Sequence, residues 1–432
     1  MNRGRGKCLV AVGLLTASCD GGGTMAGPTP PADAPGALAR VHLTPVVAAT
    51  GEAFLVEFVL EKVAADSVEV ELFLQAGRDL LLDGTPLSTL GRFGVYDDGS
   101  HGDRTAGDGT FSRDGLTLPV GPHGLESAFF DQAWFVGTGI SFLENVQLTF
   151  RSIDIDVAGL PPHSIVAPDF ATTPHASFLT HPLAVDLDSV RPLTRAYYAH
   201  LPDDRDVLMV LRAAPHVASN SGTAYLVEPW AEGIGQGPRL HDPSWGSERR
   251  LHAVVDLKRA IWVRGENPEG AFCLAIHELT HQWAAFTGPP LADRSGHWND
   301  SVLARDDSGL GMDGVCRFND LEMYLAGWLT PDSIIAPLSA EGLMIEDLIA
   351  DLGQRFPSEG QERLALGLLV ATEQALSPTE MAYFDRIIRE FSAPTTALGG
   401  LTWMEATHGR STLDPALPAG APGRIGPSDR AR

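Results

Sequence analysis

Residues 267–290 read NPEGAFCLAIHELTHQWAAFTGPP, and the rest of the chain takes its meaning from this stretch. Asn267 is a helix-capping residue type with Pro268 in the first helical position, and Gly288-Pro289 supplies the stop. Phe272, Ile276, Leu279, Trp283 and Phe286 recur at three- and four-residue spacing, which is the period of one buried helical stripe. His277 and His281 are four apart, one turn, so both imidazoles face the same point. Glu278 follows the first of them and falls beside that point. HExxH on a helix is the geometry in which two neutral imidazoles hold a zinc ion and the glutamate takes a proton from the attacking water.

A hydrolytic zinc site of this kind needs a third protein ligand. The pattern HExxHxxGxxH is excluded, because Ala284 and Thr287 stand where its glycine and last histidine would fall. The chain offers carboxylates downstream instead, and the best placed lies in RFNDLEMYLAGWLTP, residues 317–331. Leu321, Tyr324, Leu325 and Trp328 make a short helical stripe there, with Glu322 beside it. Asp320 and Asp300 are the other carboxylates within range. Asn319 followed by Glu322 three residues later is also a plain capping box, so both readings of Glu322 stand at this point.

From about Val190 to Gly409 the chain resembles gluzincin-type zinc metallopeptidases, in which a strand-rich lobe precedes the HExxH helix and a helical lobe carries a glutamate ligand. The resemblance implies His277, His281 and Glu322 as zinc ligands and Glu278 as general base. It departs from the thermolysin-like pattern around Glu322, where Leu321 and Ala326 replace the usual Asn before and acidic residue one turn after. The developing oxyanion needs a further donor, for which Tyr324, His297 in SGHWND and His408 in ATHGR are the candidates. The run LHAVVDL, residues 251–257, offers a strand on which an extended peptide could lie, or an edge strand that serves only the sheet. Cys273 shares the face of His277, one turn before it. A bridge from there to Cys316 would tie the two ligand-bearing segments together; two buried free thiols are the alternative.

Upstream, residues 39–160 read as β: VHLTPVV, AFLVEFVLEKV, SVEVELFL, QAWFVGTGI and NVQLTFRSIDIDV are short strand-like runs between turn clusters. The Asp- and Gly-rich segment YDDGSHGDRTAGDGTFSRDG (residues 96–115) resembles a loop of Ig-like β-sandwich modules on bacterial extracellular proteins. Asp97, Asp98, Asp103 and Asp108 offer oxygen ligands for Ca2+, or the segment is a run of tight turns, since no EF-hand spacing is met. A Pro-rich linker covers residues 161–180. Beyond it DLDSVRPLTRAYYAHL predicts a helix, DVLMVLRAAP and RLHAVVDLKRAIWV predict strands, and EGLMIEDLIADLG, QERLALGLLVATEQAL and SPTEMAYFDRIIREF predict helices. The expectation is a multidomain chain: an N-terminal antiparallel β-sandwich, then an α+β metallopeptidase-like domain over residues 181–417 with a mainly helical C-terminal lobe. A polar, Gly- and Pro-containing tail covers 418–432.

The first 19 residues order Arg3, Arg5 and Lys7 before an apolar run from Cys8 to Leu15, then TASC. That order is a secretory signal, and it resembles a lipoprotein signal in which Cys19 carries the lipid and residues 20–38 form a tether. Ordinary secretion with cleavage after Ala26 is the alternative. The chain of 432 residues has 31 Lys plus Arg against 55 Asp plus Glu, a net charge of -24. Such an acidic chain lacks the basic face of a nucleic-acid binder, and no apolar run is long enough to span a bilayer. The expected activity is hydrolysis of a protein or peptide substrate by an exported, zinc-dependent enzyme. The competing class is a non-catalytic surface protein built on the same fold, for which a carboxylate poised beside the ion would have no use.

Overall fold

A computed structural model describes residues 17–18, 36–77, 80–87, 90–119, 125–155, 159–186, 189–213, 222–258, 268–284, 286–288, 291–293, 296–298, 302, 316–398 and 400–418. The basic residues of the N-terminus, Cys19, the bulk of the tether, Asn267, Pro289, Asp300 and the tail from 419 onward lie outside these.

The N-terminal strands are β1 (Ala37–Thr44), β2 (Ala48–Ala49), β3 (Phe54–Glu61), β4 (Ser67–Gly77), β5 (Leu90–Tyr96), β6 (Thr110–Thr117), β7 (Leu125–Phe135) and β8 (Ile140–Ile153). They form because apolar and polar residues alternate: along FLVEFVLE in β3, Phe54, Val56, Phe58 and Leu60 point inward and their neighbours do not. The order is β1-β3-β6-β5-β4-β7-β8-β2, antiparallel except for the parallel β8–β2 contact. The sequence suggests two stacked sheets; the structure shows one hydrogen-bonded sheet that curls toward a barrel. Among the described residues, its two halves pair at Tyr96 and Ser112. Register shifts around Phe130 in β7 are bulges of the kind that strengthen twist and bend a sheet on itself. Phe54, Phe58, Phe130, Phe135 and Phe150 fill the interior.

The second sheet contains β9 (Ser164–Ala167), β10 (Phe170–Thr172), β11 (Ser177–Thr180), β12 (Val207–Arg212), β13 (Thr223–Leu226), β14 (Ala253–Lys258), β15 (Arg363–Thr372) and β16 (Thr412–Asp414). Its order is β13-β14-β12-β15-β11-β10-β9, with β16 against β15 and Ala17–Ser18 on the outer edge of β13. The central strands β14, β12, β15 and β11 are parallel and covered on both faces, which is why VLMVLR in β12 is buried at every position. Asp256 and Arg212 are both fully buried in this sheet and pair at 3.0 Å.

The helices are α1 (Val190–His200), α2 (Pro268–Ala284), α3 (Asp320–Ala326), α4 (Ile345–Leu352), α5 (Pro378–Ser392) and α6 (Trp403–Ala406). Among the described residues no helix is long and apolar enough to cross a membrane. Two expectations need correction. QERLALGLLVATEQAL is not a helix but carries β15, at the middle of the sheet. A short run apolar on both faces has no period to separate strand from helix. Gly367 further shows how tightly this strand is enclosed: a Cβ there would lie 2.9 Å from Leu208 and from the Tyr197 hydroxyl. LHAVVDL, in turn, is no free edge. Its β14 portion lies between β12 and β13, and the outer side of β13 pairs with Ala17–Ser18.

The two parts of the chain share packing. Val47 and Ile153, from the N-terminal part, belong to the same buried cluster as Phe178 and Phe384. The Val46 amide donates to Glu380 Oε1 at 2.6 Å. Burial pushes the guanidinium of Arg151 down to about 10, with Tyr383 of α5 as its partner. The architecture is thus a near-barrel β part followed by a mixed α/β sheet with C-terminal helices.

Candidate metal centre

Helix α2 is buried almost throughout its described side chains, unlike a surface helix with one apolar stripe. Phe272, Ile276 and Leu279 have no exposure and Trp283 has 2%. Trp283 packs against Trp230, Trp328, Phe318 and Trp403, with ring centroids 5.4–6.4 Å apart. This aromatic layer seats the helix between the sheet and the C-terminal segments. With its apolar side so anchored, the helix turns His277, Glu278 and His281 into the interior as well, at 5%, 0% and 3% exposure.

A third histidine meets them. His277 Nε2 lies 3.2 Å from His281 Nε2 and 3.2 Å from His297 Nε2. Among the described residues, His277, His281 and His297 form a group whose ligand atoms all lie within 4.8 Å of one another. His297 reaches this point from a tight turn: Ala292 and Trp298 pair as an antiparallel bridge, and the Asp293 carboxylate accepts from the His297 amide at 3.1 Å. Gly296 sits in that turn with φ 85°, a left-handed value that glycine takes without steric cost.

The donor set suits zinc on two counts. A neutral ring nitrogen carries either one lone pair or one hydrogen, so His277 Nε2 can satisfy only one of its two close neighbours by hydrogen bonding. A shared ion satisfies all three. Tetrahedral coordination with Zn–N of about 2.0–2.1 Å places ligand nitrogens about 3.3–3.4 Å apart, against the 3.2 Å seen for both pairs. Two of the rings are also held in the ligating form. Burial, with His277 and His297 as neighbours, keeps the pKa of His281 well below the ordinary histidine value. Burial lowers that of His297 too, against the opposing charge of Asp293.

Glu278 lies hard against the start of β13. Gly222 directly precedes that strand, and a Cβ on it would sit 2.3 Å from Glu278 Oε1 and 2.4 Å from its Cγ. Only glycine lets the backbone come this close to the carboxylate.

The other residues singled out from the sequence lie elsewhere. Glu322 is outside the histidine group: its Oε2 accepts from the Asn319 amide and its Oε1 from Trp298 Nε1, each at 2.9 Å. Asn319 Oδ1 accepts from the Glu322 amide in return, so the capping box is formed. Tyr324 has Arg355 as its charged neighbour, and burial lifts its phenol above the usual value. His408 Nε2 meets the Phe318 carbonyl at 3.0 Å. Asp320 is exposed at the first turn of α3. Cys273 and Cys316 form a disulfide, Cα–Cα 5.4 Å, across 43 residues of chain that hold Glu278 and all three histidines. In the β part, Asp97, Asp103 and Asp108 come together but Asp98 does not; it accepts from the Ser100 amide instead. Asp97 accepts from Gly107, Asp108 and Gly109, and Asp103 from Gly99 and Thr105. These bonds are those of turn-forming aspartates, and three of the four expected residues, not all four, make a group able to hold an ion.

Two residues of the site carried no sequence signal of their own role. Gly222 precedes a strand and resembles any turn glycine; Trp298 is one more buried aromatic. Neither comparison with protein-family models nor comparison with curated proteins finds a match.

Proposed function

We propose that the chain is a zinc-dependent hydrolase of peptide bonds, with His277, His281 and His297 as ligands and Glu278 as general base. The observation that carries this is the convergence of three imidazoles on one point, next to a glutamate with no exposure. Bound there, zinc supplies Lewis acidity: it lowers the pKa of water and polarises a carbonyl. Glu278 takes the proton of the attacking water and hands it to the leaving amine. Its contact with Gly222 limits where the carboxylate can go, so the base is oriented before substrate arrives. His297 serves as a ligand in this scheme and not as the oxyanion donor. A peptide substrate is favoured because Gly222 and Glu278 adjoin β13 near the edge of the sheet. That edge takes an extended segment antiparallel, as the pairing of Ala17 with Ala224 and Ser18 with Thr223 illustrates.

We also propose export, with a lipid on Cys19. The Cys273–Cys316 disulfide supports the oxidising compartment this requires. Mass analysis of the mature N-terminal peptide tests the anchor, and an unmodified Cys19 refutes it.

Zinc content by mass spectrometry is the deciding measurement for the hydrolase. About one zinc per chain is expected, lost in both His277→Ala and His297→Ala. Zinc retained by His297→Ala removes that residue from the ligand set. No zinc in the parent chain, even after resupply, refutes the proposal.

A further inference from the structure

The carboxylate of Glu322 has both oxygens committed to neighbouring donors, and one of those donors adjoins His297. Trp298 follows His297 in the chain, and its indole nitrogen donates to Glu322 Oε1 at 2.9 Å with Trp298 at 5% and Glu322 at 0% exposure. Oε2 accepts from Asn319, three residues after Cys316, which is itself bonded to Cys273 on α2. A closed path of contacts therefore runs from α2 through the disulfide to Asn319, Glu322, Trp298 and His297, and back to His277.

We propose that Glu322 is a positioning residue for the metal centre: through Trp298 it fixes the turn that presents His297. This rests on the three-histidine ligand set. Hydrogen bonds from an indole N–H and a backbone amide to a buried carboxylate are charge-assisted and directional, so they hold the Trp298 ring in one orientation and with it the adjoining backbone. A turn already held in place surrenders less freedom when an ion binds. Partners one step removed from a metal ligand typically change metal affinity about 10- to 100-fold.

The test is a double-mutant cycle on zinc affinity, read by chelator competition, with Glu322→Gln, Trp298→Phe and the double variant, and His297→Ala as reference. Trp298→Phe keeps an aromatic ring, a smaller one, at this position and removes the donor. Each single variant is expected to weaken zinc binding about 10- to 100-fold. The double variant should lose little more than the larger single, since both break the same bond. A second readout needs no metal: in the zinc-free protein the indole N–H resonance absent from Trp298→Phe should shift in Glu322→Gln. Wild-type affinity in Trp298→Phe beside a large loss in Glu322→Gln overturns the proposal, because Glu322 then acts without Trp298. Unchanged affinity in both overturns it as well. Zinc retained by His297→Ala marks a different failure, that of the ligand set itself. Should Glu322→Gln not fold, the comparison of Trp298→Phe with wild type still decides.

Discussion

Gly222 shows how far the chemistry of one residue depends on another distant in the chain. The Glu278 carboxylate occupies the space a side chain there would need. Gly222→Ala should therefore keep its zinc, measured by mass spectrometry, while peptide hydrolysis falls by about tenfold or more, the cost of displacing an oriented group. Glu278→Gln should also keep its zinc and lose about 10²–10⁴-fold in turnover, the usual worth of a positioned base; near-wild-type turnover would remove Glu278 from the mechanism. His277, Glu278 and His281 were legible because helical geometry converts a four-residue spacing into one face. His297 is a candidate donor by residue type, but nothing in SGHWND says that its turn folds back onto that face. Glu322 had two readings in the sequence, ligand or cap. Its placement beside Trp298 and Asn319 shows the cap formed.

Among the elements, α5 behaves as its sequence predicts: Ser377 caps it, Pro378 opens it, and Glu380 completes the capping box. What the sequence could not reveal is that Glu380 also accepts from Val46, 334 residues away. Burial raises its pKa above the ordinary value of 4.5, with hydrogen bonds from Ser377 and Val46 offsetting only part. A proton held more tightly in the folded chain stabilises it: the contribution is complete below the unfolded value and is lost as pH rises through the raised one. Between about pH 4 and 7 the urea midpoint of wild type should therefore fall relative to that of Glu380→Gln, which cannot titrate. A difference that rises with pH would refute this. The bond between α2 and the segment leading into α3 gives a second expectation. Closing a loop of 43 residues restricts the unfolded chain by about 4 kcal/mol. Cys273→Ser with Cys316→Ser should lower the unfolding free energy by up to about that amount and weaken zinc binding, both measurable on one preparation. The failure at β15 had a different origin. Leu, Ala and Gly in LALGLLVAT carry no alternation, and only the strands on either side make the segment extended.

At the scale of the molecule, the two parts are joined by apolar packing and by the Glu380–Val46 hydrogen bond. Val47 and Ile153 lie in the cluster that contains Phe178 and Phe384, so neither part can unfold without exposing the other's core. Calorimetry should show one transition for wild type, and Val47→Asp, which buries an unpaired carboxylate at that contact, should split it or shift the lower part downward. A split already present in wild type would refute the coupling. The sequence by itself determined what depends on near neighbours: the alternating β region, the capped helices α3 and α5, the HExxH face, and the acidic balance that argues against a nucleic-acid partner. These follow from periods and caps that act within a few residues. Tertiary structure alone decided the third histidine, the glycine beneath Glu278, the path from Glu322 to His297, and the strand character of β15. Each depends on residues far apart in the chain being brought together by burial of apolar surface, which is non-directional and leaves no spacing to read.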